Sequence, residues 1–445
     1  MTEKSTETKV DEAQTAALGL AKRSDDERSE GLRAIADAID NRHEEILEAN
    51  EKDVTAGEKL LEEGEYSQAL VDRLKLSPSK LESISEMVRS VAAQDDPLEK
   101  TLASRRLDDD LELYKLAVPI GVIGTVFESR PDALVQIAAL SLKSGNAVIL
   151  KGGSEASHSN RVLYDIIREA TAELPDGWAQ LIEAREDVDA MLEMDDSIDL
   201  LMPRGSSEFV SYIQDNTSIP VLGHTEGVCH VYVDEDADLE MATEIAYDAK
   251  VQYPAVCNAV ETLLVHEDVA EEFLPEIATR YEEAGVEMRG DDTARAIVEM
   301  NEATEDDWAS EYGDLILSIK VVDSLEAAIA HITEYSSKHT ESIVTDDADR
   351  ASTFMRSLDS ASVFHNASTR FSDGYRFGLG AEVGISTGKI HARGPVGLEG
   401  LTTYKYHLEG DGQLVGTYAG EDAKPFRHEE FDGEWNPGRL STESE

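Results

Sequence analysis

Ala147-Val-Ile-Leu150-Lys-Gly-Gly-Ser-Glu-Ala156 is a short apolar run that stops at two glycines and hands over to a helical pattern across 155–173. A run this short, bounded by turn residues, reads as a strand buried on both faces. The same unit recurs on either side. Strands are expected at 121–127, 179–183, 198–202 and 220–222, with helical runs at 131–143 and 206–214 between them. Buried strands alternating with helices imply parallel βαβ units, and sheets of that kind bind ligands beyond the carboxyl ends of their strands.

The pattern extends outward. Residues before about 95 place apolar side chains three and four apart and read as helices, one of them capped by Ser77 with Pro78 in its first position. Residues 102–118 alternate around Asp108-Asp-Asp110 and read as a β-hairpin. A strand at 229–233 and a helix at 238–250 lead into a turn at Cys257, after which the alternation resumes. Helices are expected at 267–283, 325–333 and 347–357, and strands at 261–265, 315–322, 342–345 and 362–366. The stretch 367–401 carries eight glycines and reads as loops, and residues after about 420 read as an acidic, flexible tail.

Composition bounds the function. The 445 residues include 93 acidic and 40 basic ones, a formal charge of −53. Such a field repels nucleic acid and anionic membrane, both of which need Lys and Arg to displace counterions. The acids are spread along the chain, which points to adaptation to a salty interior, where the Debye length shrinks to about 3 Å at 1 M. Two cysteines form no disulfide framework and no metal cluster, so no metal is expected. The N-terminus lacks a signal-peptide pattern, and no run of about 18 apolar residues exists to span a membrane. A cytoplasmic location is expected.

Two strand-to-helix turns can receive phosphates. In the quoted stretch Gly152, Gly153 and Ser154 would let backbone N–H groups approach an anion, with Lys151 beside a ribose or its phosphate. Met202-Pro-Arg-Gly205-Ser206-Ser207 offers a second such turn, although neither is a GxGxxG fingerprint. The chemistry is carried by Val251-Gln-Tyr-Pro-Ala-Val-Cys257-Asn258-Ala-Val-Glu-Thr-Leu-Leu264. A thiol on a tight turn between a helix and a strand is rigidly held yet can face a cleft, so Cys257 reads as a nucleophile; a buried, inert thiol is the alternative.

Together these motifs resemble a family. Gly121-Val-Ile-Gly, Glu128-Ser-Arg-Pro131, Leu150-Lys-Gly-Gly-Ser-Glu-Ala156, Pro203-Arg-Gly205, Gly223-His-Thr-Glu-Gly-Val-Cys-His230 and Pro254-Ala-Val-Cys-Asn258 are similar to the γ-glutamyl phosphate reductases of the aldehyde dehydrogenase superfamily. So are Asn366-Ala-Ser-Thr-Arg-Phe371, Gly380-Ala-Glu-Val-Gly-Ile-Ser386 and His391-Ala-Arg-Gly-Pro-Val-Gly-Leu-Glu399. The resemblance implies an α/β, aldehyde dehydrogenase-like fold of two doubly wound domains plus a β-hairpin oligomerisation flap. Residues 1–101 and 119–228 would bind NADPH, 229–366 would carry the nucleophile, 102–118 and 367–420 would form the flap and substrate loops, and 421–445 an acidic tail. It further implies a homo-oligomer that reduces L-glutamyl 5-phosphate to L-glutamate 5-semialdehyde, the second step of proline synthesis from glutamate. A contact with the glutamate 5-kinase that makes this labile substrate is left open.

The resemblance also assigns residues. Cys257 would form a thioester, with its own N–H, Ser129 or Asn258 donating to the oxyanion. Lys151 and Glu311 would hold the cofactor's riboses, and Gly152, Gly153, Ser154, Gly205 and Ser206 its phosphates. Arg130, Arg370 and Arg393 are the basic residues expected to take the substrate's phosphate or α-carboxylate, with His224 and Asn366 nearby. Hydrolytic relatives use a Glu-Leu-Gly-Gly glutamate to activate water. The corresponding loop here, Leu222-Gly-His-Thr-Glu-Gly227, has no clear counterpart, which favours hydride over water at the thioester. An aldehyde-oxidising relative and a noncatalytic nucleotide-binding protein are the rival readings.

Overall fold

The computed structural model describes residues 4–183, 186–223 and 226–436. The chain divides into two compact units. One runs through Arg204 and takes in Asn216–Val221 and the chain from Gly397; the other comprises Gly205–Asp215 and Leu222–Val396.

The first unit is built on four parallel strands in the order Ala179–Ile182, Ala147–Gly152, Val122–Phe127, Leu200–Arg204. The first three of these are buried along their whole length, as strands covered on both faces must be. The helices Thr6–Leu20, Asp25–Asn41, His43–Glu62, Gln68–Leu74 and Pro78–Ala92 precede this sheet, and Ser77 caps the last of them by accepting the Lys80 N–H at 3.2 Å. The expected strand at 220–222 is only a single bridge, Leu201 to Val221.

The hairpin pairs Thr101–Asp108 with Leu111–Pro119 and gains a third strand from Thr402–Glu409. The stretch after 420, expected to be a tail, packs here within the described residues. Arg105 and Arg106 pair in register with Glu430 and Glu429, and Trp435 N–H donates to Thr101 Oγ1 at 2.9 Å. Residues 367–396, grouped with the hairpin in the sequence reading, fall in the second unit.

That second unit holds a seven-stranded parallel sheet. Its order is Asn301–Glu302, Glu287–Gly290, Ile316–Val322, Val260–His266, Cys229–Val233, Thr340–Val344, Ser362–His365. Alternate residues of each strand serve opposite faces. Val231, Leu263, Val265 and Ile319 pack with Phe273, Leu274 and Ile277 of the helix Glu267–Glu283. Tyr232, Leu264 and Ile343 pack with Ile332 and Phe354 from the helices Leu325–Tyr335 and Ala348–Ser357. Helices on both faces make this sheet doubly wound, and Val260–His266, immediately after Cys257, is a fully buried interior strand of it.

Candidate active site

Cys257 lies between the helix Leu239–Val251 and the strand Val260–His266. The Ala259 N–H donates to the Val256 carbonyl at 2.9 Å, so Cys257 and Asn258 occupy the two corners of a β-turn. Cys257 is half-buried. The segment at Gly227 presses against it: a Cβ at Gly227 would fall 2.2 Å from the Cys257 carbonyl oxygen and 2.5 Å from its Cα. Only glycine permits that approach. Gly227 N–H in turn donates to the Glu311 carboxylate, so Glu311 tethers the segment that backs the cysteine. His224 lies outside the described residues.

The second cysteine contrasts with the first. Cys229 is fully buried in its strand and its S–H donates to the Cys257 carbonyl at 3.2 Å. Burial, then the negative charge of Glu341 and of Cys257, pushes its thiol well above the ordinary range. It stays protonated and unreactive.

The short helix Thr369–Phe371 grips the cysteine turn from both sides. Arg370 Nε donates to Gln252 Oε1 at 3.0 Å, and Asn258 Nδ2 donates to the Ser372 carbonyl at 2.8 Å. Arg370 is 7% exposed. Among the described residues its guanidinium makes no ion pair, and its terminal nitrogens have no hydrogen-bond partner. Burial lowers its pKa, the like charge of Arg376 adds to that, and Asp373, Asp248 and the Cys257 thiolate oppose it.

The other basic and polar candidates are placed differently. Arg393 donates to Asp359 Oδ1 at 2.9 Å and to the Asp359 carbonyl at 2.6 Å, which occupies its terminal nitrogens. Asn366, at φ 54°, spends its amide on Thr345, accepting the N–H at 3.0 Å and donating to the carbonyl at 3.1 Å. Asn366 clasps a strand end with its whole amide, whereas Arg393 commits its terminal nitrogens and keeps a buried Nε without a partner among the described residues.

In the first unit, Arg130 is the N-cap residue of the helix Pro131–Lys143 and makes no side-chain cap bond. Lys151 is buried and donates to the Gly152 carbonyl at 2.7 Å. A Cβ at Gly153 would fall 2.0 Å from Glu155 Oε1, so a side chain there would displace the Glu155 carboxylate, and Ser154 opens the short helix Ser154–Ala156. The same Glu155 oxygen accepts the Ser129 N–H at 2.6 Å and the Ser129 hydroxyl at 2.9 Å, with Ser129 held at φ 50°. The Ser129 hydroxyl, a candidate oxyanion donor in the sequence, is bonded to Glu155 in this structure. The second anticipated phosphate turn is divided. Arg204 closes a strand of the first unit, and Gly205 and Ser206 lead into the helix Ser207–Asp215, which groups with the second.

A family model described as "Aldehyde dehydrogenase family" matches residues 1–307. A γ-glutamyl phosphate reductase of Natronomonas pharaonis is 81% identical over 439 residues, 98% of this chain and 100% of that one. The chain belongs to the γ-glutamyl phosphate reductases of the aldehyde dehydrogenase family. The Haloquadratum walsbyi γ-glutamyl phosphate reductase is 71% identical, with 96% of each chain covered. The crystal structure of the γ-glutamyl phosphate reductase of Thermotoga maritima superposes with a TM-score of 0.89 at 42% identity, covering 92% of this chain and 100% of that one.

Sequence reading missed one feature of this member of the γ-glutamyl phosphate reductases. Lys250 and Glu261 lie on either side of the cysteine turn and form an ion pair of 2.6 Å with side chains 0% and 1% exposed. Glu261 also accepts the Gly313 N–H at 3.2 Å. Burial pushes Glu261 up to about 7 against the opposing pull of Lys250, and burial lowers Lys250. The pair ties the end of one helix to the start of the next strand across the base of the turn. The available signal was a glutamate opening an otherwise apolar strand.

Proposed function

We propose that this chain reduces L-glutamyl 5-phosphate to L-glutamate 5-semialdehyde and phosphate, with NADPH as hydride donor and Cys257 as nucleophile. The observation that carries the reading is the turn at Cys257. A half-buried thiol is fixed by Gly227 behind it and by the Gln252 and Asn258 bonds beside it, with an unpaired guanidinium adjacent. Rigid support of that kind is what covalent catalysis asks of a nucleophile.

In the proposed reaction the Cys257 thiolate attacks the γ-carbonyl, phosphate departs, and a thioester remains on the chain. NADPH, when bound, supplies the hydride that reduces it. The Cys257 and Asn258 N–H groups at the turn are the candidate oxyanion donors. Lys151, with the side-chain-free Gly152 and Gly153, fits the adenosine end of a dinucleotide, because a Cβ at Gly152 would fall 2.1 Å from Asn160 Nδ2 and backbone is what lines the turn. Glu155 already holds donors there, so a phosphate would compete with its carboxylate. Glu311 is proposed to face the nicotinamide ribose.

The residues 102–118 and 402–409 are proposed to serve a homo-oligomer. Thr402–Glu409 is the open edge of its sheet, and Tyr404, Tyr406 and Leu408 are exposed on it. No described helix is long and apolar enough to cross a membrane, and two free cysteines suit a reducing cytoplasm. The test is NADPH oxidation with glutamyl phosphate generated in place by a glutamate kinase, at low and at molar KCl. Turnover that needs the kinase and ATP is expected, and turnover independent of both would reject the reading. Greater stability at low salt would reject the salt-adapted reading of the charge of −53.

A further inference from the structure

We propose that Arg370, with Arg376 behind it, holds the phosphate that leaves when Cys257 is acylated; this rests on the activity proposed above. The alternative occupant of the guanidinium is the substrate's α-carboxylate. Chemistry separates the two. The phosphate oxygen is bonded to the very carbon that the thiolate attacks, whereas the α-carboxylate lies at the far end of the substrate's carbon chain. A cation that belongs to the phosphate must therefore sit against the cysteine turn itself.

Arg370 does. Its Nε is bonded to Gln252, five residues before Cys257, and the Ser372 carbonyl two residues after it is bonded to Asn258, so its segment is tied to the chain before and after Cys257. Its Nε is committed and its terminal nitrogens are not, which leaves the planar edge that can take two oxygens of one phosphate. Arg376 donates to the Arg370 carbonyl at 2.9 Å and shares its charge with Asp373 at 3.6 Å. In a chain with 93 acidic and 40 basic residues, Arg370 and Arg376 with the single acid Asp373 leave one net positive charge beside the turn.

The step balances without an outside reagent. Cys257 Sγ forms a bond to the carbonyl carbon, the carbon–oxygen bond to phosphate breaks, and its electron pair leaves with the phosphate onto Arg370. In reverse, inorganic phosphate bound at Arg370 attacks the thioester carbon and restores the thiolate.

The test is the reverse reaction of the full chain with semialdehyde, NADP+ and inorganic phosphate. Arg370→Gln is expected to raise the KM for phosphate by about 10- to 100-fold, the range of a lost charge-assisted bond. It should leave the KM for semialdehyde and the single NADPH equivalent formed without phosphate unchanged. Arg370→Lys should fall between, keeping charge without the fork. Phosphate should slow iodoacetamide labelling of Cys257 in the wild type and not in Arg370→Gln. Should Arg370→Gln fail to fold, the more exposed Arg376→Gln carries the same test with a smaller rise. A raised semialdehyde KM with an unchanged phosphate KM would overturn the proposal in favour of the α-carboxylate, and no change in either would overturn it outright. A wild type that turns over without phosphate would instead refute the activity on which the subsite rests.

Discussion

Arg370 and Arg393 carry the same charge, follow the same last strand, and are used in opposite ways. Arg393 meets Asp359, which Lys389 also approaches at 2.6 Å, and its charge is neutralised where it stands. Arg370 is buried against the cysteine turn with no acid in ion-pair range among the described residues. In a chain with a large excess of acids, most cations find an acid on the surface, and such exposed pairs contribute about 0–1 kcal/mol each. A buried guanidinium without one is the informative case. Leaving such a charge unpaired is costly, and the proposed anion subsite would be a physical reason to retain it. Lys250 is the intermediate case, as deeply buried as Arg370 yet fully matched by Glu261.

Substitutions should reproduce that ranking. The largest effect is expected at the proposed nucleophile: Cys257→Ser should lose on the order of 10⁴-fold or more in turnover while folding normally. Iodoacetamide should label Cys257 alone in the native chain and both thiols after denaturation, because the Cys229 thiol is buried and pushed up. Labelling of Cys229 at native pH would break the distinction between the two sulfurs.

The buried pair comes next. Lys250→Met strands a carboxylate and should cost about 3–5 kcal/mol of stability, whereas removing both charges with Lys250→Met and Glu261→Leu should recover much of it. The pH dependence has a definite sign. Glu261 in the folded chain holds its proton up to about 7 against an ordinary 4.5. A raised carboxylate contributes most below its unfolded value and loses that contribution as pH rises through the folded one. The Lys250→Met defect should therefore be smaller at about pH 5 than at about pH 8. Equal defects in urea melts at the two pH values would show that the stranded charge is not the cause.

Arg393→Gln should matter least, with KM values for phosphate and semialdehyde within about twofold of wild type, as befits an exposed pair. Lys389 first, and then Arg393, hold Asp359 down to about 2. That contribution is present above the ordinary carboxylate range and is lost as pH falls toward 2. A loosening of residues 389–393 confined to strongly acid solution, read by hydrogen exchange, is the expected sign of it.

The periodic parts of this fold were legible because burial on both faces leaves an unbroken apolar run. The strand at Ala147–Gly152 is the example, and the helix at Glu267–Glu283 was legible for a different reason, its buried Ala270, Phe273, Leu274, Ile277 and Tyr281 recurring three and four apart. The strand Glu287–Gly290 was missed because Glu287 and Arg289 break the apolar run near the sheet edge. The stretch after 420 looked loose because its acids gave no apolar pattern, yet Arg105 and Arg106 of the hairpin provide the charge that pairs them. At the site, Cys257 was readable from its turn and flanking motif. The capture of Ser129 by Glu155 was not, since a contact across 26 positions is a product of the tertiary fold. Neither was the choice among three arginines, which depends on which acids lie beside each.

The account stands on a thioester at Cys257 that is meant for hydride and phosphate rather than water. The direct measurement mixes the chain with semialdehyde and NADP+ in the absence of phosphate, counts NADPH per chain, and weighs the Cys257 peptide. One equivalent of NADPH, a glutamyl adduct on Cys257, and steady turnover only after phosphate is added are the expected result. Continued turnover without phosphate, or a burst with no adduct on Cys257, would contradict it.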